Sequence, residues 1–433
     1  MKQARLCIWL VAVLLCCSAC GAPSLRYKKD VNRLIASGDF GAAQEQLEHA
    51  KNKGYSSRDR LLYQLDSGAV LHDGGQYQES DKRLAAAQDR IDELFTQSVS
   101  AHVGRYLIND MTVPYQPAVY ERALTYYYRA MNFLSLGDVE GAAVEASRAV
   151  FFLDHLSGSE AKEWQNDTFI QYFMSLVFET AGRLDDARIA RYRAGQNNST
   201  DVQALRLGPI PDGYGEVVVV HANGVAPLKK SATFQVAWRD VRLWLLESTE
   251  GNRNVDPAVQ NAISAGILGN AITVAYPVLE KQPFMIKSSE VLTDQGGTYP
   301  TRLLGNVEEA AQTDLEDKQA ATLFRMALRA ATKRVAAVQA KQAAGKASNN
   351  ENVEQLTEML FSLLGAVTEK ADTRQWFTLP AQWRLTRFYV PAGTQDITLR
   401  FKDGFGNIIG AYAFRNIQVK AGERVYLHHR TAK

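Results

Sequence analysis

A short pattern that occurs four times is the feature that most constrains how this chain can fold. Each copy holds a glycine, a polar residue, an apolar residue, two further residues and a small residue, as in Gly38-Asp39-Phe40-Gly41-Ala42-Ala43. The other three copies begin at Gly75, Gly137 and Gly182. Glycine can end a helix in a left-handed conformation, and a small residue lets the next helix pack closely against the first. The pattern therefore predicts a series of helical hairpins.

The turn of each predicted hairpin resembles the turn of a tetratricopeptide repeat, whose ideal length is about 34 residues. The four glycines are 37, 62 and 45 residues apart, so the array is irregular. We expect one extra helix, near residues 88–108, in the longest interval. The predicted helical array covers residues 27–206.

Aromatic residues are concentrated between positions 126 and 178 of the predicted array. A spacing of four places Phe169 and Phe173 on one helical face, which is typical of a core between helices. Tyr127 cannot share the helical face of Tyr126. We therefore predict that Tyr127 is exposed in a groove and contributes to binding a protein partner.

Residues 207–213, Leu-Gly-Pro-Ile-Pro-Asp-Gly, interrupt the helical pattern and predict a domain boundary. Runs rich in β-branched and aromatic residues then predict strands at 216–221, 233–238, 272–279, 284–292, 383–390, 396–401, 408–414 and 424–428. Alanine-rich and amphipathic stretches predict a helical insertion at about 305–371. The predicted fold class is α+β multidomain, with an all-α tetratricopeptide-like array followed, at 207–433, by a β-sandwich-like domain with inserted helices.

The stretch 257–279 runs 23 residues without a charge, a length that is sufficient for a membrane-spanning helix. Its Asn, Gln, Gly and Pro residues favour instead a buried helix, a turn and a strand. Insertion into a membrane and contact with another subunit are the alternatives.

The N-terminus has the order of a secretory signal: basic residues, an apolar run at 6–16 that is too short to span a bilayer, and small residues. Cys17-Ser18-Ala19-Cys20 resembles a lipobox, although Cys17 stands where that pattern usually has Leu. The resemblance implies that residues 1–19 are removed, that Cys20 is lipidated and that residues 20–26 form a lipidated linker. An ordinary cleaved signal with an incidental cysteine is the alternative.

Gly21 follows the cysteine, at the position where the usual residue for retention in the inner membrane is Asp. The lipoprotein resemblance therefore implies an anchor in the outer membrane, with the protein on its periplasmic face. Two or more lipid chains hold a protein stably on a membrane. The chain has four cysteines, all at or before position 20, so the exported body has neither a disulfide nor a thiolate metal site.

Charge and motifs exclude several classes of function. The formal net charge of the chain is +2, which offers no basic surplus for binding nucleic acid. The sequence has no H-E-x-x-H motif, no G-x-S-x-G motif and no P-loop. His428 and His429 are adjacent in a predicted strand and so point to opposite faces, which makes a poor metal site. We predict a protein that is not an enzyme, has no cofactor and binds no metal.

Residues 371–380, Ala-Asp-Thr-Arg-Gln-Trp-Phe-Thr-Leu-Pro, join a predicted helix to a predicted strand. Asp372 and Arg374 can pair with each other or cap the helix, and Trp376 can fill the core. These three residues are therefore candidates for a structural junction. Together with residues 113–149 and 221–227, this segment resembles a bacterial family of tetratricopeptide-containing outer-membrane lipoproteins.

Two classes of function fit these observations. The first is a tethered scaffold whose helical array binds one or more envelope proteins during cell-envelope assembly or export. The second is a protein or enzyme that binds envelope glycan or another ligand, or an activator of a peptidoglycan synthase. The lack of a catalytic motif favours the scaffold.

Overall fold

The structure is a computed structural model, and it describes residues 26–100, 113–156, 166–237, 271–318 and 371–433, together with Trp164 and Thr322. The predicted signal, Cys20 and the linker up to residue 25 lie outside the described residues. So do residues 257–270 of the uncharged stretch and most of the predicted helical insertion. In the described part of the chain, no helix combines the length and the apolar character that crossing a bilayer requires.

The N-terminal half folds into helical hairpins. They pair α1 (Arg26–Ser37) with α2 (Phe40–Ala50), α3 (Arg60–Asp73) with α4 (Tyr77–Ser100), α5 (Val119–Ser135) with α6 (Val139–Asp154), and α7 (Thr168–Thr180) with α8 (Leu184–Asn197). A short helix, α9 (Ser199–Ala204), follows. The predicted tetratricopeptide-like array is confirmed.

The turns explain why each hairpin forms. The four turn glycines have left-handed φ angles, which are +80° at Gly38, +74° at Gly75, +79° at Gly137 and +73° at Gly182. The residue after each glycine donates its N–H to a carbonyl five positions back, as Asp39 does to Leu34 at 2.9 Å. The Asp39 side chain also accepts from the N–H of Ala42 and so caps the second helix.

The helix α4 is longer than the second helix of an ideal repeat. It runs without interruption from Tyr77 to Ser100, so residues 88–100 extend this helix rather than begin another. The extra helix predicted near 88–108 is therefore wrong for residues 88–100, and residues 101–112 lie outside the described part. The reason is local: no glycine or proline lies between Tyr77 and Ser100 to end the helix.

The C-terminal half is built mainly of strands. They are β1 (Tyr214–Asn223), β2 (Leu228–Ala237), β3 (Ala271–Glu280), β4 (Ser288–Thr293), β5 (Thr298–Pro300), β6 (Arg302–Asn306), β7 (Gln382–Pro391), β8 (Gly393–Lys402), β9 (Ile408–Val419) and β10 (Arg424–Thr431). The helix α10 (Val307–Asp317) follows β6, where the helical insertion is predicted to begin. Each predicted strand overlaps one of these, whereas the sequence pattern does not predict the short β5 and β6.

The described strands form two four-stranded sheets and one two-stranded ribbon, β2 with β3. The central sheet has the order β10-β1-β7-β6, and the outer sheet has the order β5-β4-β8-β9. Within the central sheet, β1 is parallel to β10 and antiparallel to β7. The two sheets enclose one apolar core, which gives the predicted sandwich-like arrangement.

The central sheet is covered on both faces. Val217 and Val219 of β1 pack in the core toward the outer sheet, whereas Val218 and Val220 pack in the core that includes the helices. All four side chains are fully buried, as expected for a strand with a layer on each side. The molecule therefore has three layers: the array, the central sheet and the outer sheet. The α+β fold class is confirmed, and the array and the central sheet share one core.

Candidate functional site: the junction between the array and the central sheet

The inner face of the array, formed by the first helices of its hairpins, is covered by the protein's own chain. Residues 371–381 cross this face in an irregular path that leads into β7. Helix side chains hold their backbone: the Trp376 N–H donates to Glu121 Oε1 at 2.8 Å, and the Thr378 N–H donates to Asp66 Oδ1 at 3.2 Å. The face on which the sequence predicts a groove for a peptide is therefore filled by this segment, which we call the inner segment.

Asp372, Arg374 and Trp376 all lie in the inner segment. Arg374 Nη2 donates to Asp372 Oδ2 at 2.7 Å, and Arg374 Nη1 donates to Asp59 Oδ1 at 3.1 Å. The Trp376 side chain is 1 % exposed, and its ring lies 5.5 Å from that of Tyr128 on α5. These contacts attach the segment before β7 to the array.

Asp66 on α3 is the buried carboxylate to which the inner segment is hydrogen bonded. Its Oδ2 accepts from the Tyr55 hydroxyl at 2.8 Å, and its Oδ1 accepts from the Thr378 hydroxyl at 3.0 Å as well as from the Thr378 N–H. Burial raises the pKa of Asp66 to about 7, although these hydrogen bonds and the nearby Lys28 act in the opposite direction. The inner segment is thus attached to a carboxylate that titrates near neutral pH.

Tyr127 does not lie in an exposed groove, so its prediction as a partner-binding residue is wrong. Its side chain is 0 % exposed, and its ring centroid lies 4.6 Å from that of Trp383, 4.8 Å from that of Phe173 and 4.9 Å from that of Phe169. The reason is tertiary. The face of α5 that carries Tyr127 packs on the central sheet, so the helix is covered both by its neighbouring helices and by β7.

A group of buried polar side chains lies beside Tyr127, between α3 and β10. We call it the interface cluster: His72, Asp73, Asn132, His428 and Arg430. His428 Nε2 lies 3.1 Å from Asp73 Oδ1, Arg430 Nε lies 3.5 Å from Asp73 Oδ2, and His72 Nδ1 lies 2.7 Å from Asn132 Oδ1. The side chains of Asp73 and Arg430 are each 1 % exposed and that of His428 is 5 % exposed.

Burial controls the protonation of the interface cluster. It lowers the pKa of His72 to about 3 and that of His428 to about 3, so both imidazoles are neutral at pH 7. Burial also raises the pKa of Asp73 to about 6, while the positive charge of Arg430 acts to lower it. Because these groups are enclosed by the helices and the sheet, they suit the binding of an ion or of water better than the turnover of a substrate.

His429 has no part in the interface cluster. Its ring packs 3.9 Å from that of Tyr412 and 5.7 Å from that of Phe401, both in the outer sheet. His428 and His429 therefore point to opposite faces of β10, as the sequence predicts. The sequence argument considered only this adjacent pair, and so it did not consider a site that uses His428 with residues of the array.

A second polar group, the ion network, lies at the other end of the same junction. Arg387 Nε donates to Glu216 Oε1 at 2.5 Å, and Arg424 Nη2 donates to Glu216 Oε2 at 2.8 Å. Arg424 Nη2 also donates to Glu179 Oε2 of α7 at 2.8 Å. Glu216 is fully buried. Arg424 Nη1 donates in addition to the Thr180 hydroxyl at 2.9 Å, so the network joins three strand residues to α7 of the array.

Sequence reasoning missed both polar groups, because their members lie far apart along the chain and follow no motif spacing. The one available signal was the presence of charged residues inside the predicted strands. Glu216 in β1, Arg387 in β7 and Arg430 in β10 are of this kind. Charged side chains are seldom buried unless they are paired, so such residues indicate partners on the covering layer.

Comparisons with known proteins add little to this description. No protein-family model matches the sequence, and no match was found among curated proteins. Among solved structures, one similar chain is a putative kinesin light chain with nearly identical TPR-like repeats from Podosopora anserina, at 16 % identity and a TM-score of 0.22, covering 42 % of this chain and 97 % of that one. A substituted form of the same protein has 18 % identity and a TM-score of 0.28, covering 42 % and 76 %. At these TM-scores the likeness supports no conclusion about function.

Proposed function

We propose that this protein is a lipid-anchored scaffold on the periplasmic face of the outer membrane. In this proposal, the lipid on Cys20 holds the chain at the membrane, and the helical array binds another envelope protein. The predicted signal and lipobox, and the resemblance to a family of tetratricopeptide-containing lipoproteins, support the membrane anchor. Because the inner segment fills the inner face of the array, we place the partner-binding surface on the outward face. The second helices of the hairpins form this outward face.

One observation carries the choice of this surface: the outward face exposes large apolar side chains. Val144 and Phe151 of α6 are 53 % and 64 % exposed, and Ile189 and Tyr192 of α8 are 43 % and 70 % exposed. We call these four residues the outward patch. A solvent-facing helix surface is usually polar, and exposed apolar groups that lie near one another mark sites of protein interaction.

The two helices that carry the outward patch lie side by side. Arg193 of α8 forms an ion pair with Asp154 of α6, and Arg183 Nη1 donates to Ser147 Oγ at 2.7 Å. Because the array also shares a core with the central sheet, the patch is held on a well-packed body. A partner that binds there loses little free energy to ordering the scaffold.

Photo-crosslinking in intact cells tests the patch. A photoreactive amino acid at Tyr192 should give a discrete crosslinked protein, whereas the same amino acid at Phe405 should not. Phe405 is the matched control because it is 94 % exposed but lies on the turn between β8 and β9. The double variant F151S/Y192S should lose capture of that partner while its melting temperature stays unchanged. Equal crosslinking from both positions, or undiminished capture, would rule out the outward patch.

The membrane anchor has its own test. Cys20→Ala should leave the protein unprocessed or released, because the proposed attachment depends on the lipid. Gly21→Asp should shift the protein toward the inner membrane in a species with the usual sorting rule. If Cys20→Ala still fractionates normally with the outer membrane, the lipid anchor is contradicted. If Gly21→Asp fractionates like the wild type, the proposed location in the outer membrane is contradicted.

A further inference from the structure

The interface cluster is surrounded by buried polar atoms that have no hydrogen-bond partner. Within the described residues they are His72 Nε2, Tyr128 Oη, Trp383 Nε1 and Arg430 Nη2. Asp73 Oδ2 and Arg430 Nε also make no hydrogen bond, but they face each other as an ion pair at 3.5 Å. Buried polar atoms in folded proteins nearly always have partners, because leaving them unpaired is costly. So many unpaired atoms in one place indicate that something else occupies this part of the junction.

A chain of hydrogen bonds defines which nitrogen of His72 is free. The Ser80 hydroxyl donates to the Gly68 carbonyl at 2.7 Å, so the Ser80 oxygen accepts from Asn132 Nδ2 at 2.9 Å. The carbonyl oxygen of Asn132 then faces His72 and must accept from the Nδ1–H, at 2.7 Å. His72 Nε2 is therefore a bare lone pair, held in place by Asn132 and turned away from solvent.

We propose that the interface cluster is a binding site for a transition-metal dication of the zinc class, held by His72, Asp73 and His428. One donor atom from each of these residues lies within 4.8 Å of the other two. Two imidazoles and one carboxylate are donors that zinc and similar ions prefer. A metal ion would also give the bare lone pair of His72 a partner.

The outer contacts of the three residues fit this assignment. Metal-binding histidines usually use their second ring nitrogen in a hydrogen bond that orients the ring. His72 Nδ1 does so with Asn132, and His428 Nδ1 lies 3.2 Å from the Tyr127 hydroxyl.

Arg430 places a condition on the site. Its guanidinium lies 3.5 Å from Asp73, and its positive charge would repel a bare dication. The unpaired donors resolve this difficulty, because Arg430, Trp383 and Tyr128 each offer an N–H or O–H to a negatively charged group. We therefore infer that the fourth position on the metal holds an anion, such as hydroxide, that accepts hydrogen bonds from these donors.

The consequence of the proposal is structural. His72 and Asp73 end α3 of the array, whereas His428 lies in β10 of the central sheet. A metal ion bound by all three would join the array to the sheet, and its binding free energy would add to the stability of this junction.

The test begins with the full-length protein, produced in zinc-supplemented cells and purified through a tag that contains no histidine. After dialysis against metal-free buffer, elemental analysis should find about one zinc per chain. Chelation with a strong chelator under mild denaturation, followed by refolding, should lower the melting temperature, and zinc but not magnesium should restore it. Refolding with cobalt should give the visible absorption of a four-coordinate site. A folded wild-type protein that takes up neither metal would overturn the proposal and leave ordered water as the occupant.

Variants assign the metal to this site. His72→Gln and His428→Gln should each lose the bound metal and the cobalt absorption, whereas His49→Gln should keep both. His49 is the matched control because it is an exposed histidine on α2. Retention of metal by folded His72→Gln would contradict the assignment. If the site variants do not fold, X-ray absorption of the zinc-loaded wild type decides the question, since a site without two imidazole ligands cannot be this one.

Discussion

The two faces of the central sheet bury different kinds of side chain. Toward the outer sheet, the core is mainly aliphatic and includes Val217, Val219, Ile397 and Leu399. Toward the array, the same strands bury the ion network and the interface cluster beside aromatic residues such as Trp383. The outer-sheet side also buries a neutral polar contact, in which His221 Nδ1 lies 2.8 Å from Ser289 Oγ of β4, but the ion network and the interface cluster both lie on the array side.

The difference indicates what each interface contributes to the stability and to the arrangement of the molecule. Aliphatic packing tolerates many side chains of similar volume, so the aliphatic part of the sandwich core stabilises without requiring particular partners. A buried charge needs one particular partner in one position. We therefore expect the array side to determine how the helices sit on the sheet, and the sandwich side to contribute mainly to overall stability.

The largest effect should come from Trp383→Ala. Trp383 is 1 % exposed and touches α5 and α7 through Tyr127 and Phe169, so its loss leaves a cavity at the array junction. We expect the free energy of unfolding to fall by about 3–5 kcal/mol, measured by denaturant titration. Leu399→Ala is the comparison on the sandwich side. Hydrogen exchange should speed up in the helices for Trp383→Ala and in the outer sheet for Leu399→Ala; the same exchange pattern in both would contradict the division of roles.

The next effect should come from Glu216→Gln. This change removes one of the two carboxylates that Arg387 and Arg424 share and leaves them Glu179. Because leaving a buried charge with no partner typically costs about 3–5 kcal/mol, we expect a smaller loss of unfolding free energy here. Arg415→Ala breaks the exposed pair with Asp396 and should leave thermal unfolding unchanged, because surface pairs contribute little. If Glu216→Gln melts at the wild-type temperature, the ion network does not hold the array on the sheet.

A third effect, which appears as a pH dependence of the stability, should come from Asp66→Asn. Folding raises the pKa of Asp66 from 3.8 to about 7, so the folded state disfavours the ionised form. The stabilising contribution of this group is complete below pH 3.8 and is lost as the pH rises toward 7. The difference in unfolding free energy should therefore shift in favour of the variant by about 1.4 kcal/mol per pH unit across that window. Asp185→Asn, an exposed change on α8, is the control measured over the same pH range.

The smallest effect should come from cutting the chain at the predicted domain boundary. We expect a protease to cut within residues 207–213, where glycine and proline leave a loop. Because the array and the central sheet share one core, the two fragments should stay together in size-exclusion chromatography and separate only in denaturant. Separation of the fragments in native buffer would show that the shared core is too weak to join them.

The hairpins and most strands could be read from the sequence because they depend on neighbours within a few residues. The glycine turns are an example: the left-handed conformation at Gly38 and the cap by Asp39 are set within the turn itself. The same holds for strand alternation. In β10, for example, His428 and His429 were expected on opposite faces, and they are.

The sites depended on tertiary structure. The spacing of residues along α5 shows that Tyr127 and Tyr126 lie on different faces of the helix. It does not show that the central sheet covers the face that carries Tyr127. Asp73 and His428 are 355 positions apart, so no spacing rule relates them, and they meet only because β10 lies against α3. The sequence by itself determined the helices, the turns and the alternation of faces, since these are short-range. Only the packing of the array on the central sheet decided which faces are buried and which polar groups come together, because those contacts join residues from opposite ends of the chain.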